Sequence, residues 1–286
     1  DYYDVSLKEA RLAELKKHKN FSFHKINIAD KEPMLAFANK GFTHIVHLAA
    51  QPGVRYSLIN PYAYIESNIM GHTVMLELAR HTKGLQHFVY ASSSSVYGGN
   101  TKTPFAIDDA VENPVSLYAA TKRADELITW TYAHLYKIPS TGLRFFTVYG
   151  PWGRPDMATY SFTKDIDAGK PIKVFNHGKM RRDFTYIDDI VAGILAALGK
   201  PPQTEPPVQL YNLGNSQSED LMDFIGAIEK ALGKKAQCDF QPMQPGEVVE
   251  TYADITSSTR DLGFKPQTSI SEGVPRFVAW FKSYHR

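Results

Sequence analysis

A doubly wound α/β fold on a parallel sheet is predicted for the first half of the chain, with a smaller α/β unit contributed by the second half. Three observations carry this. Up to about residue 147, short apolar runs of strand character alternate with longer helical patterns, which is the signature of successive β-α-β units. A stretch rich in Gly and Pro, VYGPWGRPDM from Val148, then interrupts the pattern at the end of a strand, where open α/β sheets bind their ligands. With 286 residues, 43% of them hydrophobic and 22% charged, the chain can bury one large core or two moderate ones.

The elements run in order. Residues 6–18 carry apolar positions at helical spacing, and 21–28 (FSFHKINI) read as a strand. A short helix over 31–40 leads to a strand at 43–49 (THIVHLA), a long helix at about 61–82 and a strand at 86–92 (QHFVYAS). An amphipathic helix over 117–136 precedes the strand 140–147 (STGLRFFT). After the Gly/Pro stretch, read as an ordered binding loop, come a helix near 159–168, a strand at 172–175 (IKVF), a turn over 176–179 and a helix at about 188–199. The Pro-rich stretch 201–207 is a surface linker, before a strand at 208–213, a helix at about 218–232, a strand near 248–254 and a helix near 271–285. This order divides the chain into a sheet domain over 1–147 with a return segment at 186–213, and a second domain made of 148–185 and 214–286.

Composition narrows the function. The formal net charge is +2, with basic residues scattered among 30 acidic ones, so the chain lacks the basic stripe expected of a nucleic-acid binder. No apolar run approaches the ~18 residues of a membrane span. The single cysteine, Cys238, allows no internal disulfide and fits a reducing compartment, with the cytoplasm as the expected location. His44 and His47 flank a strand without a third ligand at metal spacing, so no metal is expected. Asp188 and Asp189 open a helix, where carboxylates complement its dipole. Trp130, Tyr132 and Tyr136 on the 117–136 helix read as packing groups.

Chemistry concentrates in YAATK at 118–122 and the serine run at 92–95. Tyr118 and Lys122 stand four residues apart on an amphipathic helix, so both project from one face. An ammonium held beside a phenol favours the phenolate and brings it toward the working range of a general base. Such a pair occurs on ordinary surface helices too, so its meaning depends on its surroundings.

Those surroundings resemble the extended short-chain dehydrogenase/reductase family, and within it the nucleotide-sugar epimerases. The similarity runs through HLAAQPGVRYS at 47–57, Asn68 in ESNIMG, YASSSSVYG at 90–98, the Tyr118/Lys122 pair, RFFTVYGPWGRPDMA at 144–158, VFNHG at 174–178, RRDFTYIDDI at 181–190, YNLGNS at 211–216 and QPGEV at 244–248. The resemblance implies a Rossmann-like sheet and retained NAD. It also implies epimerisation at carbon 4 of a UDP-sugar, UDP-glucuronate to UDP-galacturonate, through a 4-keto intermediate. By the same resemblance Tyr118 is the acid-base, Lys122 binds the nicotinamide ribose, and Ser93 hydrogen-bonds the reacting oxygen. Asn27, Ile28, Leu48, Ala49, Ala50, Asn68 and Ser92 would join Tyr118 and Lys122 around the cofactor. On the substrate, Pro52, Gly53, Val54 and Arg55 would line the sugar-phosphate side, while Ser94, Ser95, Thr147 and Arg154 would surround the sugar carboxylate. Arg154 alternatively contacts a phosphate or anchors its own loop. Arg182 would meet the diphosphate, with Arg181 solvated or supporting it, and Val174, Phe175 and Asn176 would flank the uracil; the Val174–Phe175 pair alternatively belongs to the core of its strand. The family further implies a homodimer through the helices at 61–82 and 117–136.

Two departures stand beside these matches. No Gly-rich turn of the G-x-x-G-x-x-G type occurs among the nineteen glycines, although that turn normally sets the cofactor pyrophosphate on a helix N-terminus. The opening DYYDVSLKEARLAEL corresponds to the segment after the second strand in the family, so the first β-α-β unit is absent from this sequence. Either the chain is a piece of a longer protein, or it is a shortened one with a weakened cofactor site and an exposed sheet edge. The alternatives to the epimerase are a related UDP-sugar decarboxylase or dehydratase and, in a different class, a non-catalytic nucleotide-sugar-binding or oligomerisation module. Ser94 and Ser95 stand where a dehydratase places an Asp-Glu pair, which favours epimerisation.

Overall fold

The computed structural model describes residues 2–244 and 248–285. In chain order its elements begin with α1 (Val5–Leu15), α2 (Lys31–Leu35), β1 (His44–His47), α3 (Tyr56–Ile59) and α4 (Pro61–Tyr64). A π-helical turn over Ile65–Met70 carries α4 directly into α5 (Gly71–His81). Next come β2 (His87–Ser93), α6 (Leu117–Tyr136), β3 (Ser140–Phe145), β4 (Thr147–Tyr149), α7 (Ala158–Asp167) and β5 (Ile172–Val174). The chain continues through β6 (Arg181–Arg182), β7 (Phe184–Tyr186), α8 (Ile187–Leu198), β8 (Val208–Leu213), β9 (Glu219–Asp220) and α9 (Leu221–Leu232). It closes with β10 (Cys238–Phe240), β11 (Glu250–Thr251), α10 (Thr256–Leu262) and α11 (Ile270–His285).

The central sheet is parallel, in the order β1-β2-β3-β8. β2 and β3 are covered on both sides, whereas β1 leaves His44 and Val46 exposed on one face, and the period of two in a strand sorts the side chains. Phe88 and Tyr90 of β2 enter one core with Leu76 and Ala79 of α5, while Val89 enters the other with Leu143, Leu213 and Ile190 of α8. Gly193 brings α8 close to the sheet, since a Cβ there would lie 2.8 Å from Leu213 Cδ1. A third core joins β4, β7, α7, α9 and α11 around the stacked rings of Phe184 and Phe224, 3.8 Å apart. The buried Asp183 carboxylate ties together distant segments of the second half. It accepts from the backbone N–H of Asn215, Ser216 and Ala253 and from the Thr185 hydroxyl.

Three expectations need correction. Residues 21–28 form no strand; among the described residues no ladder partner lies beside them, and most of their side chains stay exposed. Asn27 instead caps the following turn, its Oδ1 accepting from Ala29 N and its Nδ2 donating to Glu66. The Gly/Pro stretch after the sheet is not all loop, because Thr147–Tyr149 pairs in parallel with Phe184–Tyr186. The 248–254 strand shrinks to Glu250–Thr251, paired with Arg181–Arg182. QPGEV at 244–248 falls largely on residues 245–247, outside the described part. Among the described residues no helix is long and apolar enough to cross a membrane, and no cluster of His, Cys, Asp and Glu is set to hold a metal ion.

Candidate active site

Ser93 ends β2, and its side chain accepts from Ser95 N at 3.2 Å as the chain turns into a short 3-10 segment over Ser94–Tyr97. This places the serine run at the carboxyl end of a central parallel strand, where an open α/β sheet leaves its crevice. Tyr118 stands in the first turn of α6, whose start is fixed by the Ser116 hydroxyl accepting from Ala119 N. Lys122 lies one turn later on the same face. It is 3% exposed, donating to Ala91 O at 3.0 Å and to Asp125 Oδ2 at 3.1 Å. The ammonium is thus held between helix α6 and strand β2.

Asn68 lies in the π-helical turn and is buried. Its Oδ1 accepts from Gln51 N at 2.7 Å, and its Nδ2 donates to Gln51 O and to Thr121 Oγ1. It therefore fastens the loop after β1 to the helix that carries Tyr118. Single π turns are frequent at functional sites. Leu48 and Ala49, at the carboxyl end of β1, are exposed, with Ala50 partly so. The side chain of Ser92, expected near the cofactor, donates its hydroxyl to Glu126 at 2.6 Å, inside a buried network completed by Arg144.

A cleft of about 770 Å³ opens beside these groups. Its walls include Gly53, Val54, Arg55, Ser94, Ser95, Thr147, Arg154, Phe175 and Arg182, so most of the expected substrate residues converge. Ser94 and Ser116 on its wall adjoin Ser93 and the Leu117–Tyr118 turn in the chain. The Arg55 guanidinium lies 4.5 Å from the centre of the Phe175 ring, across the cleft's mixed polar and aromatic lining. Gly53 has φ of +100°, and a Cβ there would sit 2.8 Å from the Tyr2 hydroxyl, so the position favours glycine.

Some expected residues are placed otherwise. Val174 has no exposed surface; its side chain belongs to the core, and its carbonyl accepts from Gln241 N. Asn176 has a left-handed φ of 49° and donates to Lys179 O, closing a turn rather than facing the cleft. Pro52 contributes its carbonyl to Tyr64 OH at 2.8 Å. Arg181 is half-exposed and paired with Asp220 and Glu250. Arg182 donates through Nη1 to Arg181 O and Val249 O. Arg154 behaves as a loop anchor, because Nε and Nη2 grip Asp156 at 3.1 and 3.2 Å. That grip is the two-pronged geometry by which a guanidinium takes a carboxylate. Its Nη1 takes no part in the pair.

Two contributions escaped the sequence reading. Tyr2, Tyr56, Tyr64 and Tyr118 form a chain of rings with successive centroid separations of 4.9, 6.2 and 6.2 Å. Tyr64 also donates to Pro52 O and Gly53 O, and Tyr2 donates to Asp156. Burial, with the charge of Asp156 behind it, pushes the Tyr2 phenol up to about 12. Behind Lys122 lies a second buried carboxylate, Asp125, with His47 and His72 near it. Burial, with Lys122 adding to it, pushes His47 down to about 3, so it is neutral at ordinary pH. Asp125 shares a helical face with Tyr118 and Lys122, while the others meet only through the fold.

The model of the NAD dependent epimerase/dehydratase family matches residues 4–214. A probable UDP-glucuronate 4-epimerase of Rhizobium meliloti is 44% identical over the whole chain and 88% of its own length. UDP-glucuronate 4-epimerase 4 of Arabidopsis thaliana is 48% identical, again over the whole chain and 68% of its own length. Among solved structures, UDP-glucuronic acid 4-epimerase from Bacillus cereus, in complex with UDP-glucuronic acid and NAD, superposes with a TM-score of 0.91. It is 33% identical, covering 98% of this chain and 87% of that one.

Proposed function

Because the chain belongs to the NAD-dependent epimerase/dehydratase family, we propose that it interconverts UDP-glucuronate and UDP-galacturonate by inverting carbon 4 of the sugar. The observation that carries this reading is the convergence of Ser94, Ser95, Thr147 and Arg154 on one cleft beside the Ser93 and Tyr118 turns. A sugar bearing a carboxylate matches that set of hydroxyl and guanidinium donors.

The residues present fit the nicotinamide-ribose end of NAD. Lys122 offers three donors, two of them spent on Ala91 O and Asp125, and so keeps one for a ribose hydroxyl. Leu48 and Ala49 offer an exposed apolar ledge at the carboxyl end of a parallel strand. When bound, NAD supplies the acceptor and donor of the hydride that leaves and rejoins carbon 4. Tyr118 takes the proton from the 4-hydroxyl as that carbon is oxidised and returns it when the carbon is reduced. Lys122 favours the phenolate form, and Ser93 donates to the oxygen as it becomes a ketone. Asn68 keeps the 51–53 loop against α6 while this happens. The Gly-rich turn for the pyrophosphate is not among these residues.

In this reading 1–147 and 186–213 form the cofactor-side domain, and the remainder closes over the sugar nucleotide. Arg182 and Arg55 face the diphosphate, and Phe175 faces the base. The protein acts as a homodimer through the exposed apolar side chains of the 61–81 helix and α6, including Tyr62 and Trp130.

The deciding experiment incubates the NAD-loaded protein with UDP-glucuronate and monitors UDP-galacturonate. Turnover of UDP-glucose with none of UDP-glucuronate would overturn the assignment. Tyr118→Phe is expected to lower kcat by about 10²–10⁴-fold while leaving UDP-glucuronate binding in place. Substantial residual turnover would remove Tyr118 from the acid-base role.

A further inference from the structure

Asp125 is the third residue of a single helical face, lying seven positions after Tyr118 and three after Lys122. It has no exposed surface, and one carboxylate oxygen meets the Lys122 ammonium at 3.1 Å. The other oxygen, Oδ1, is buried without a hydrogen-bond partner. A carboxylate so placed is expensive to keep charged, and only its neighbour's charge opposes the cost. We propose that Asp125 is a positioning residue for the reaction: its carboxylate holds the Lys122 ammonium behind Tyr118 and, by carrying or losing its charge, sets how strongly that ammonium favours the Tyr118 phenolate. The proposal rests on the reading of Tyr118 as the acid-base.

The surroundings leave Asp125 little else to interact with. From β1 comes His47 and from α5 His72, both buried and held neutral by that burial. The His72 Nε2 is bonded to Thr129 Oγ1 at 2.8 Å, and its Nδ1 has no partner. From β2 comes the buried phenol of Tyr90. On α6 itself Glu126 is committed to Arg144 of β3, with Arg123 and Ser92 on its remaining valences. Lys122 is thus the cation in direct contact with Asp125. Burial, aided by the neighbouring charge of Glu126 and opposed by Lys122, pushes the Asp125 carboxyl up to about 7. Its charge therefore changes inside the range where an enzyme works, which an ordinary carboxylate's does not.

The consequence has a definite sign. Removing a negative charge lowers the proton affinity of every nearby group. Asp125→Asn keeps the shape and removes the charge, so the Tyr118 phenol should titrate about one pH unit lower, for a unit charge two helical turns or about 10 Å away in a medium of effective dielectric about 20. The variant and the parent should coincide below about pH 6, where Asp125 is already protonated, and diverge above it.

The test uses the full chain loaded with NAD. Tyrosinate absorbance is titrated for the parent and for Asp125→Asn, each against the same protein carrying Tyr118→Phe, so that the difference isolates Tyr118. The pH profile of kcat/KM for UDP-glucuronate is recorded alongside. The expected result is a lower Tyr118 midpoint and an acid limb moved to lower pH in Asp125→Asn. Asp125→Glu, which restores the charge, should return both toward the parent. If Tyr118→Phe stops turnover but Asp125→Asn moves neither the midpoint nor the limb, Asp125 only fills space and the proposal fails while the acid-base reading stands. If Tyr118→Phe remains active, it is the underlying reading that fails. Should Asp125→Asn not fold, carboxyl-carbon NMR of Asp125 in the parent decides: titration confined to the usual carboxylate range near pH 4 overturns the proposal.

Discussion

Arg154 is matched to a carboxylate before any ligand arrives, because Asp156 already occupies two prongs of its fork. The same loop is held from the other side by Tyr2 on Asp156. A sugar carboxylate must therefore use Nη1 or compete with Asp156, and in either case the guanidinium is oriented in advance. Arg154→Ala is expected to reduce kcat/KM for UDP-glucuronate by roughly ten- to a hundred-fold, the worth of a charge-assisted hydrogen bond. A neutral UDP-sugar should lose much less. Equal losses measured on the two substrates would show that Arg154 only anchors its loop. Tyr118 and Lys122 stood out at this scale because they form a local pair of fixed spacing, whereas Ser93 was singled out by the family resemblance. Asp125 has that spacing too, but only burial and an unpartnered oxygen mark it out.

Helix α6 is positioned as a unit by one buried network. Glu126 receives two bonds from Arg144 of β3 at 2.8 and 2.9 Å, one from Ser92 of β2 and one from Arg123. The Arg144 guanidinium also lies 4.9 Å from the centre of the Tyr97 ring. Burial raises the Glu126 carboxyl, but the bonds from Arg144, Ser92 and Arg123 outweigh it and hold the group below the usual carboxylate range. A carboxyl lowered in the folded state contributes stability that is complete above about pH 4.3, its unfolded value, and is lost as pH falls through the folded value. Glu126→Ala leaves Arg144 charged and buried, and urea unfolding should show a loss of about 3–5 kcal/mol. Replacing both residues with methionine should recover much of that loss, since a buried pair exchanged for apolar groups is close to neutral. In the parent, acid unfolding should begin earlier than in the double variant; coincident acid midpoints would exclude Glu126 as a source of the pH dependence.

At the scale of the whole molecule, exposed apolar side chains gather where the 61–81 helix and α6 face outward. Tyr62 is 82% exposed, Trp130 is 49% exposed, and Ile65, Met70 and Leu127 are also uncovered. Trp130 is therefore not the internal packing group that its helical pattern suggests; its ring stacks on His134 alone among the aromatic rings of the described residues. Such a surface favours a second copy. Trp130→Glu combined with Leu127→Glu should convert a dimer to a monomer in analytical ultracentrifugation while leaving the circular dichroism of the fold unchanged. Sedimentation of the parent as a monomer at micromolar concentration would reject the dimer.

Neighbour-to-neighbour order along the chain was enough to establish the parallel sheet, the helices between its strands, and the Tyr118/Lys122 pair, because periodicity and i, i+4 spacing are local properties. The remainder was settled by contacts between distant segments. Residues 21–28 have the composition of a strand, yet a strand exists only when another backbone accepts its hydrogen bonds, and none of the described residues does so here. Val174 and Phe175 are adjacent in sequence, but one is sealed in the core and the other lines the cleft, an outcome set by what packs against each. The π turn that aims Asn68 at Gln51 and Thr121, and the burial that makes Asp125 costly to ionise, likewise depend on residues tens of positions away. Local pattern fixes which groups are available, while their charge and partners are set by the surroundings that only folding assembles.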